Sequence, residues 1–241
     1  MSSSPARIEI GADREAVARR AAEWITALAR ASAGRFAIAL SGGSTPRPLY
    51  RLLAEPPFRD ALPWPRIHWF WGDERFVPWD DKDSNYGMVR AALLAHVPVP
   101  PQNIHGIATE GDPGMAARAY EQVLKSYYGA DRLDPARPLF DVQLLGLGAD
   151  GHTASLIPGT RVLDERERWV AEVTGGRPEA RITLTYPALE SSRHTAFLVA
   201  GADKREALAR VLAGDRTLPA GRLAPQGDLV WFVDKEARPA T

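Results

Sequence analysis

Cysteine is absent from the chain, which excludes disulfides, a thiolate nucleophile, cysteine-bound zinc and iron–sulfur ligation, and fits a reducing compartment. Lysine is scarce, occurring only at 82, 125, 204 and 235, so each lysine carries weight. Net charge is missing too: 30 basic residues balance 30 acidic ones. No global field draws the protein to nucleic acid or an anionic membrane, and any anion it recognises must be met by local groups. There is no run of about 18 apolar residues, and MSSSPARIEI lacks the apolar core of a signal peptide. The expectation is a cytoplasmic protein without nucleic-acid or membrane partners, a monomer rather than an obligate assembly. No internal repeat, low-complexity tract or linker divides the 241 residues, so residues 1–241 are read as a single α/β domain.

What is present is an alternation of strands and helices. Val17, Ala21, Trp24, Ile25 and Leu28 recur at helical spacing and predict a helix over 13–31, stopped by Gly34. Strands are expected at 35–40, 67–71, 140–145, 169–173, 181–184, 194–200 and 229–233. Helices are expected at about 46–53, 86–95 and 113–128, with another after 203. For that last helix Asp203 is the expected N-cap, with Glu206 three residues on. The alternation predicts a mainly parallel sheet with helices on both faces, a three-layer α/β/α arrangement.

Four of the expected strands end in loops rich in glycine and polar groups, and in a parallel sheet all four emerge on the edge where ligands bind. The first is Ser41, Gly42, Gly43, Ser44 and Thr45. Its glycine pair lets backbone N–H groups approach an anion at the start of a helix; an ordinary turn capped by Ser44 or Thr45 is the competing reading. It is no Walker loop, because no lysine follows, and it lacks the G-x-G-x-x-G spacing, so nucleotide binding is disfavoured. In the second, Arg75 suits a bidentate phosphate contact and Asp73 a sugar hydroxyl, or the pair belongs to a solvated ion cluster. The fourth carries Lys204 in the first turn of a helix, where a cation opposes the macrodipole by about 0.3 to 1 kcal/mol. A bound anion there resolves the conflict, and so does plain solvation.

The third loop, LLGLGADGHTASLIPG over 144–159, holds Asp150 and His152. An imidazole titrating near ~6.5 is poised to act as a general base on water, with Asp150 orienting it or binding a hydroxyl; alternatively His152 merely caps the turn. His68, His96, His105 and His194 have no partner nearby in sequence. No H-E-x-x-H or comparable spacing occurs, so no metal is expected, and the missing G-x-S-x-G disfavours a serine triad.

Together SGGSTP at 41–46, GDERFVP at 72–78, DSN at 83–85, GLGADGHTASLIPG at 146–159, ITLTYPAL at 182–189, GADK at 201–204 and LVWFVDKEA at 229–237 resemble the 6-phosphogluconolactonases. The resemblance implies the three-layer fold shared with glucosamine-6-phosphate deaminase, hydrolysis of 6-phosphoglucono-δ-lactone in the oxidative pentose phosphate pathway, and no cofactor. It also implies that His152 activates water while Asp73, Arg75 and Lys204 bind substrate. The nearest alternative is a deaminase-like sugar-phosphate isomerase. In that pattern a glutamate stands just before the proline that follows DGH, where this chain has Ile157 and Pro158. A non-enzymatic sugar-phosphate sensor is the other alternative, opposed by the zero net charge, the intact DGH loop and the lack of a sequence segment for DNA binding.

Overall fold

The computed structural model describes residues 6–239; the first five residues, part of the N-terminal stretch read above for a leader, and the last two lie outside it. Ten strands are present among the described residues: β1 (Arg7–Gly11), β2 (Phe36–Leu40), β3 (Ile67–Trp71), β4 (Asp73–Arg75), β5 (Ile104–His105), β6 (Phe140–Gly146), β7 (Val170–Val173), β8 (Arg181–Leu184), β9 (Ser192–Val199) and β10 (Asp228–Asp234). Seven form one sheet in the order β1-β10-β9-β6-β2-β3-β5, and every pairing in it is parallel. This is the mainly parallel α/β fold expected from the alternation. All five residues of β2 are buried, as a strand covered on both faces requires.

The helix Arg14–Ala31 is capped by Asp13, whose carboxylate accepts from the Ala16 N–H at 2.8 Å. It buries Val17, Ala21 and Ile25 and packs on β10, where Trp24 meets Phe232 edge-on. Two buried tyrosines fix the ends of neighbouring strands. The Tyr50 hydroxyl donates to Ser41 O at 2.6 Å and accepts from Ser41 N just beyond β2, while the Tyr120 hydroxyl makes the same double contact with Trp71 at the end of β3. Each removes a pair of buried backbone polar groups from the list of those needing water.

The remaining strands form a second, antiparallel sheet in the order β4-β8-β7. Gly72 joins the two sheets. Its N–H donates to Leu40 O of β2 at 2.9 Å, and its carbonyl accepts from Leu184 N at the end of β8 at 2.8 Å. The chain therefore leaves β3, turns once and re-enters as β4. The segment 73–75, expected as loop, is a strand because β8 is there to pair with it. Glu74 anchors the turn to the helix Asn85–Ala92: its buried carboxylate accepts from Asn85 N and Tyr86 N, both at 2.7 Å, from Arg75 N at 2.8 Å and from the Ser84 hydroxyl.

Several expectations change in detail. β1 and β5, short strands at the two edges, are not among the expected strands, although Arg7, Ile8, Glu9 and Ile10 of β1 do alternate. The helix expected to reach 95 ends at Ala92 and gives way to a 3₁₀ turn, Leu94–His96. Asp203 is not an N-cap: a 3₁₀ turn, Ala202–Lys204, precedes the helix Arg205–Leu212, and the Asp203 carboxylate instead meets Lys204 Nζ at 2.8 Å. His68 does have a partner, reached across β3 and β5, with its Nδ1 3.0 Å from His105 Nε2. Burial lowers both rings, His105 to about 4.

Burial also dominates at Glu74 and pushes its carboxyl up to about 7 against the pull of its N–H donors. A carboxyl raised in the folded state holds a proton that the unfolded chain has already released. Its contribution to stability is therefore fully present below the ordinary value of 4.5 and is lost as pH rises through about 7. Thermal unfolding followed against pH should show the midpoint of the wild type falling across that window relative to Glu74→Gln. A difference between the two proteins that stays constant there would contradict the assignment.

Candidate active site

β9, β6, β2 and β3 are consecutive in the parallel sheet, so the loops that follow them leave the carboxyl edge side by side. They enclose a cleft of about 220 Å³ lined by residues 41–46, Asp73, Arg75, Asn85, 146–148, His152, Ala154, Arg181 and Lys204. Of the residues expected at a site, Ser41, Gly42, Gly43, Ser44, Thr45, Asp73, Arg75, His152 and Lys204 all reach this cleft. Asp150 stands behind it, in contact with His152. A larger depression of about 810 Å³ runs along residues 158–176, and none of the residues expected at a site lines it. Convergence of the expected loops, not size, marks the smaller cleft.

The 41–45 loop presents its backbone. Among the described residues the N–H groups of Gly42, Gly43, Ser44 and Thr45 have no protein acceptor. The helix that follows, Arg47–Leu53, has Pro46 at its N-cap and no side-chain capping bond. Ser44 and Thr45 are thus not spent on capping. The helix makes only about two turns, so the loop's own donors, more than a macrodipole, offer an anion something to bind.

Opposite lie Arg75 and Arg181, partners across β4 and β8. Arg75 Nη1 donates to Asp83 O at 2.7 Å and Arg181 Nη2 to Glu179 Oε1 at 2.6 Å, yet the Nε of each is buried with no acceptor. A buried donor left unmade costs about 1–3 kcal/mol, and like charges directly opposed add to it. An anion between them removes both costs. Lys204, expected to be in conflict with its helix, already has the Asp203 carboxylate beside it; that partner is largely exposed, and the ammonium still faces the cleft. Asp73 is buried and held by the Ser155 hydroxyl at 2.7 Å, while the Asn85 amide donates to its backbone carbonyl at 2.9 Å.

His152 is built by its turn. Gly148 N donates to His152 O at 2.8 Å and Gly151 N to Gly148 O at 2.9 Å. A side chain at 148 has no room, since a Cβ there would lie 2.0 Å from His152 Nδ1. The turn ends at Ala154, the one non-glycine residue with positive φ among the described residues, at 46°. Such a conformation is uncommon outside glycine and is held here by its surroundings. His152 Nδ1 lies 2.5 Å from Asp150 Oδ1, and Asp150 Oδ2 lies 2.7 Å from Arg177 Nη2. An ionised carboxylate only accepts, so Nδ1 carries a proton, and in the neutral ring the lone pair is on Nε2, which has no protein partner among the described residues. Burial works to raise the Asp150 carboxyl, but the guanidinium and the imidazole outweigh it and hold it well below the usual carboxylate range.

The sequence reading missed Arg181, Asn85 and Arg177. Arg181 opens the apolar run RITL and reads as an ordinary strand start; Asn85 reads as part of a polar loop, and Arg177 as part of a turn. Arg181 and Arg177 take their places from the antiparallel pairing of β4 with β8, and Asn85 from its bonds to Glu74 and Asp73. Among the described residues no group of three or more His, Asp or Glu side chains is placed to hold a metal ion, and no helix is long and apolar enough to cross a membrane.

Fold and cleft define a parallel α/β protein with a small cleft lined by cationic side chains and free backbone N–H groups at the carboxyl edge of its sheet, and a carboxylate-held histidine at one end. Comparison with known proteins gives the particular group. The chain belongs to the glucosamine-6-phosphate isomerases/6-phosphogluconolactonase family, whose sequence profile matches residues 12–231. A 6-phosphogluconolactonase of Nostoc sp. is 46% identical over 209 residues, 85% of this chain and 84% of its own length. The crystal structure of the Thermotoga maritima 6-phosphogluconolactonase superposes with a TM-score of 0.80 at 31% identity, covering 95% of this chain and 100% of its own. A monomeric glucosamine-6-phosphate deaminase superposes at 0.81 with 23% identity, covering 96% and 98%; at that identity the likeness speaks for the fold alone.

A short imidazole–carboxylate contact gives a far-downfield Nδ1 proton in NMR. Asp150→Asn should remove this resonance from the wild-type spectrum. Gly148→Ala should remove it too by displacing the ring, while leaving the far-ultraviolet circular dichroism unchanged. A resonance that survives Gly148→Ala would mean that the ring is not held against that glycine.

Proposed function

We propose that the chain hydrolyses 6-phosphoglucono-δ-lactone to 6-phosphogluconate, the lactonase step of the oxidative pentose phosphate pathway. Family membership supports the reaction class. The observation that carries the assignment of roles is that one small cleft sets the unsatisfied Nε donors of Arg75 and Arg181 and the free 42–45 N–H groups against a histidine whose Nε2 has no protein partner among the described residues. In this reading the 6-phosphate is taken by the Arg75 and Arg181 guanidiniums, Lys204 and the 42–45 N–H groups, and Asp73 meets the sugar hydroxyls. The lactone C1 then lies beside His152.

Nε2 of His152 accepts a proton from water as the hydroxide oxygen bonds to C1. The tetrahedral intermediate collapses with cleavage of the bond from C1 to the ring oxygen, which takes the proton back from the imidazolium. The new carboxylic acid ionises at neutral pH, so each turnover releases one proton. Asp150 keeps the ring in the tautomer that exposes Nε2 and stabilises the imidazolium that forms. No step requires a cofactor.

Ile157 supports lactone hydrolysis over deamination. It is buried, in the place where the deaminase pattern has a carboxylate, and ring opening with proton shuttling has no second acid to use there. The same proposal has residues 1–241 acting as one domain, as a monomer, without nucleic-acid or membrane partners. It places the reaction in the cytoplasm, since a charged sugar phosphate does not cross an apolar barrier unaided and is consumed where it is made.

The test gives the protein freshly made 6-phosphogluconolactone and, in parallel, glucosamine 6-phosphate, with acid and ammonia release followed and spontaneous hydrolysis subtracted. Acid release alone is expected. Ammonia release would turn the reading to the deaminase, and stoichiometric binding without turnover to a sensor. His152→Ala should lower kcat by about 10²–10⁴ with little change in KM. Arg75→Ala, Arg181→Ala and Lys204→Ala should chiefly raise KM, and an unaltered KM in all three would remove them from phosphate binding.

A further inference from the structure

The loop between β7 and β8 does more than connect them. Gly175 and Gly176 both have positive φ, 86° and 74°, and a Cβ on Gly176 would come within 2.9 Å of Ile157 Cγ2. The loop thus lies backbone-down on Ile157, at the exit of the DGH turn. Its next residue, Arg177, reaches over that turn: Nη1 donates to Gly176 O at 2.8 Å and Nη2 to Asp150 Oδ2 at 2.7 Å. The same Nη2 is 3.4 Å from His152 Nδ1. Both nitrogens carry protons, so this second approach is proximity and not a hydrogen bond. Asp150 divides its oxygens cleanly, with Oδ1 to the imidazole and Oδ2 to the guanidinium.

Arg177 does not line the cleft. It touches the carboxylate that touches the base, and it is about one-third exposed, accessible enough to be substituted without opening the core. Resting on the lactonase reading, we propose that Arg177 is a positioning residue for the hydrolysis: it clamps Asp150 so that Oδ1 holds the His152 ring with Nε2 turned into the cleft. Without the clamp, Asp150 is held from the His152 side alone, by the ring Nδ1 and by the His152 backbone N–H at 3.2 Å, and its Oδ2 is left to water. A base displaced by about 1 Å can lose up to 10²-fold in rate. The guanidinium also opposes the burial that would raise the Asp150 carboxyl.

The place of Ile157 in this arrangement gives it a positive role. Where the deaminase pattern has a carboxylate, this chain has an apolar seat on which the Arg177 loop rests. In this chain Ile157 and Gly176 pack closely together, and Arg177 follows directly.

The experiment compares wild type, Arg177→Gln and Arg177→Lys for kcat, KM and the downfield His152 proton. The expected result is a fall in kcat of about tenfold or more in Arg177→Gln with KM within about twofold, together with loss or broadening of the proton signal. Arg177→Lys, whose ammonium can still reach Oδ2, should recover most of both. An unchanged kcat with an unchanged signal in Arg177→Gln overturns the proposal. A raised KM with unchanged kcat also overturns it, by making Arg177 a substrate contact. Wild type without lactonase activity would refute the functional reading instead, and the proton signal of the two variants would then still decide whether Arg177 holds the dyad.

Discussion

The cleft depends on the hydrogen bonds of one residue. Gly72 donates to β2 of the parallel sheet and accepts from the end of β8 in the antiparallel one. The two sheets therefore meet at a fixed register. Asp73 and Arg75 stand where they do because the chain turns there, and Arg181 stands opposite Arg75 because β8 must run antiparallel to satisfy that turn. The loop ahead of β8 then brings Arg177 to Asp150. Glu74 secures the arrangement from the other side, gathering the first N–H groups of the helix Asn85–Ala92. A parallel sheet alone would have supplied the loops after β2, β6 and β9, but neither of the arginines that come from β8 and its approach.

This division explains what could be read in the sequence. Apolar runs of strand length that stop at glycine-rich loops declare themselves locally, so β2, β3, β6 and β9 and their loops were legible, and their adjacency follows from the fold class. The charged triplet 73–75 has no strand signature of its own. Its state is decided by a partner more than a hundred residues later, and so Arg181 and Arg177 were invisible as site residues. Lys204 was noticed for its conflict with a helix, although the structure resolves part of that conflict with Asp203, the residue read as a cap. The weight placed on Ile157 rested on pattern; its packing under Gly176 needed coordinates.

Charge is arranged in the cleft by position and not by amount. The chain as a whole is neutral, yet Arg75, Arg181 and Lys204 line a small space in which Asp73 is the acidic side chain, while Asp150 is drawn away behind His152 by Arg177. The carboxylate that serves the base is thereby kept out of the space where a phosphate would be repelled. Two acidic residues close in space keep separate tasks because each is tied to its own neighbours, Asp73 to Ser155 and Asn85, Asp150 to His152 and Arg177.

The cross-strand facing of Arg75 and Arg181 bears on the protein as a folded object as well as on its chemistry. Two guanidiniums opposed across a three-stranded sheet, each with a buried donor unmatched, make that sheet electrostatically unfinished. On the proposed reading the substrate's phosphate is its counter-ion. Occupancy of the cleft and cohesion of the small sheet are then one thermodynamic quantity, and the protein is most tightly folded while it is at work.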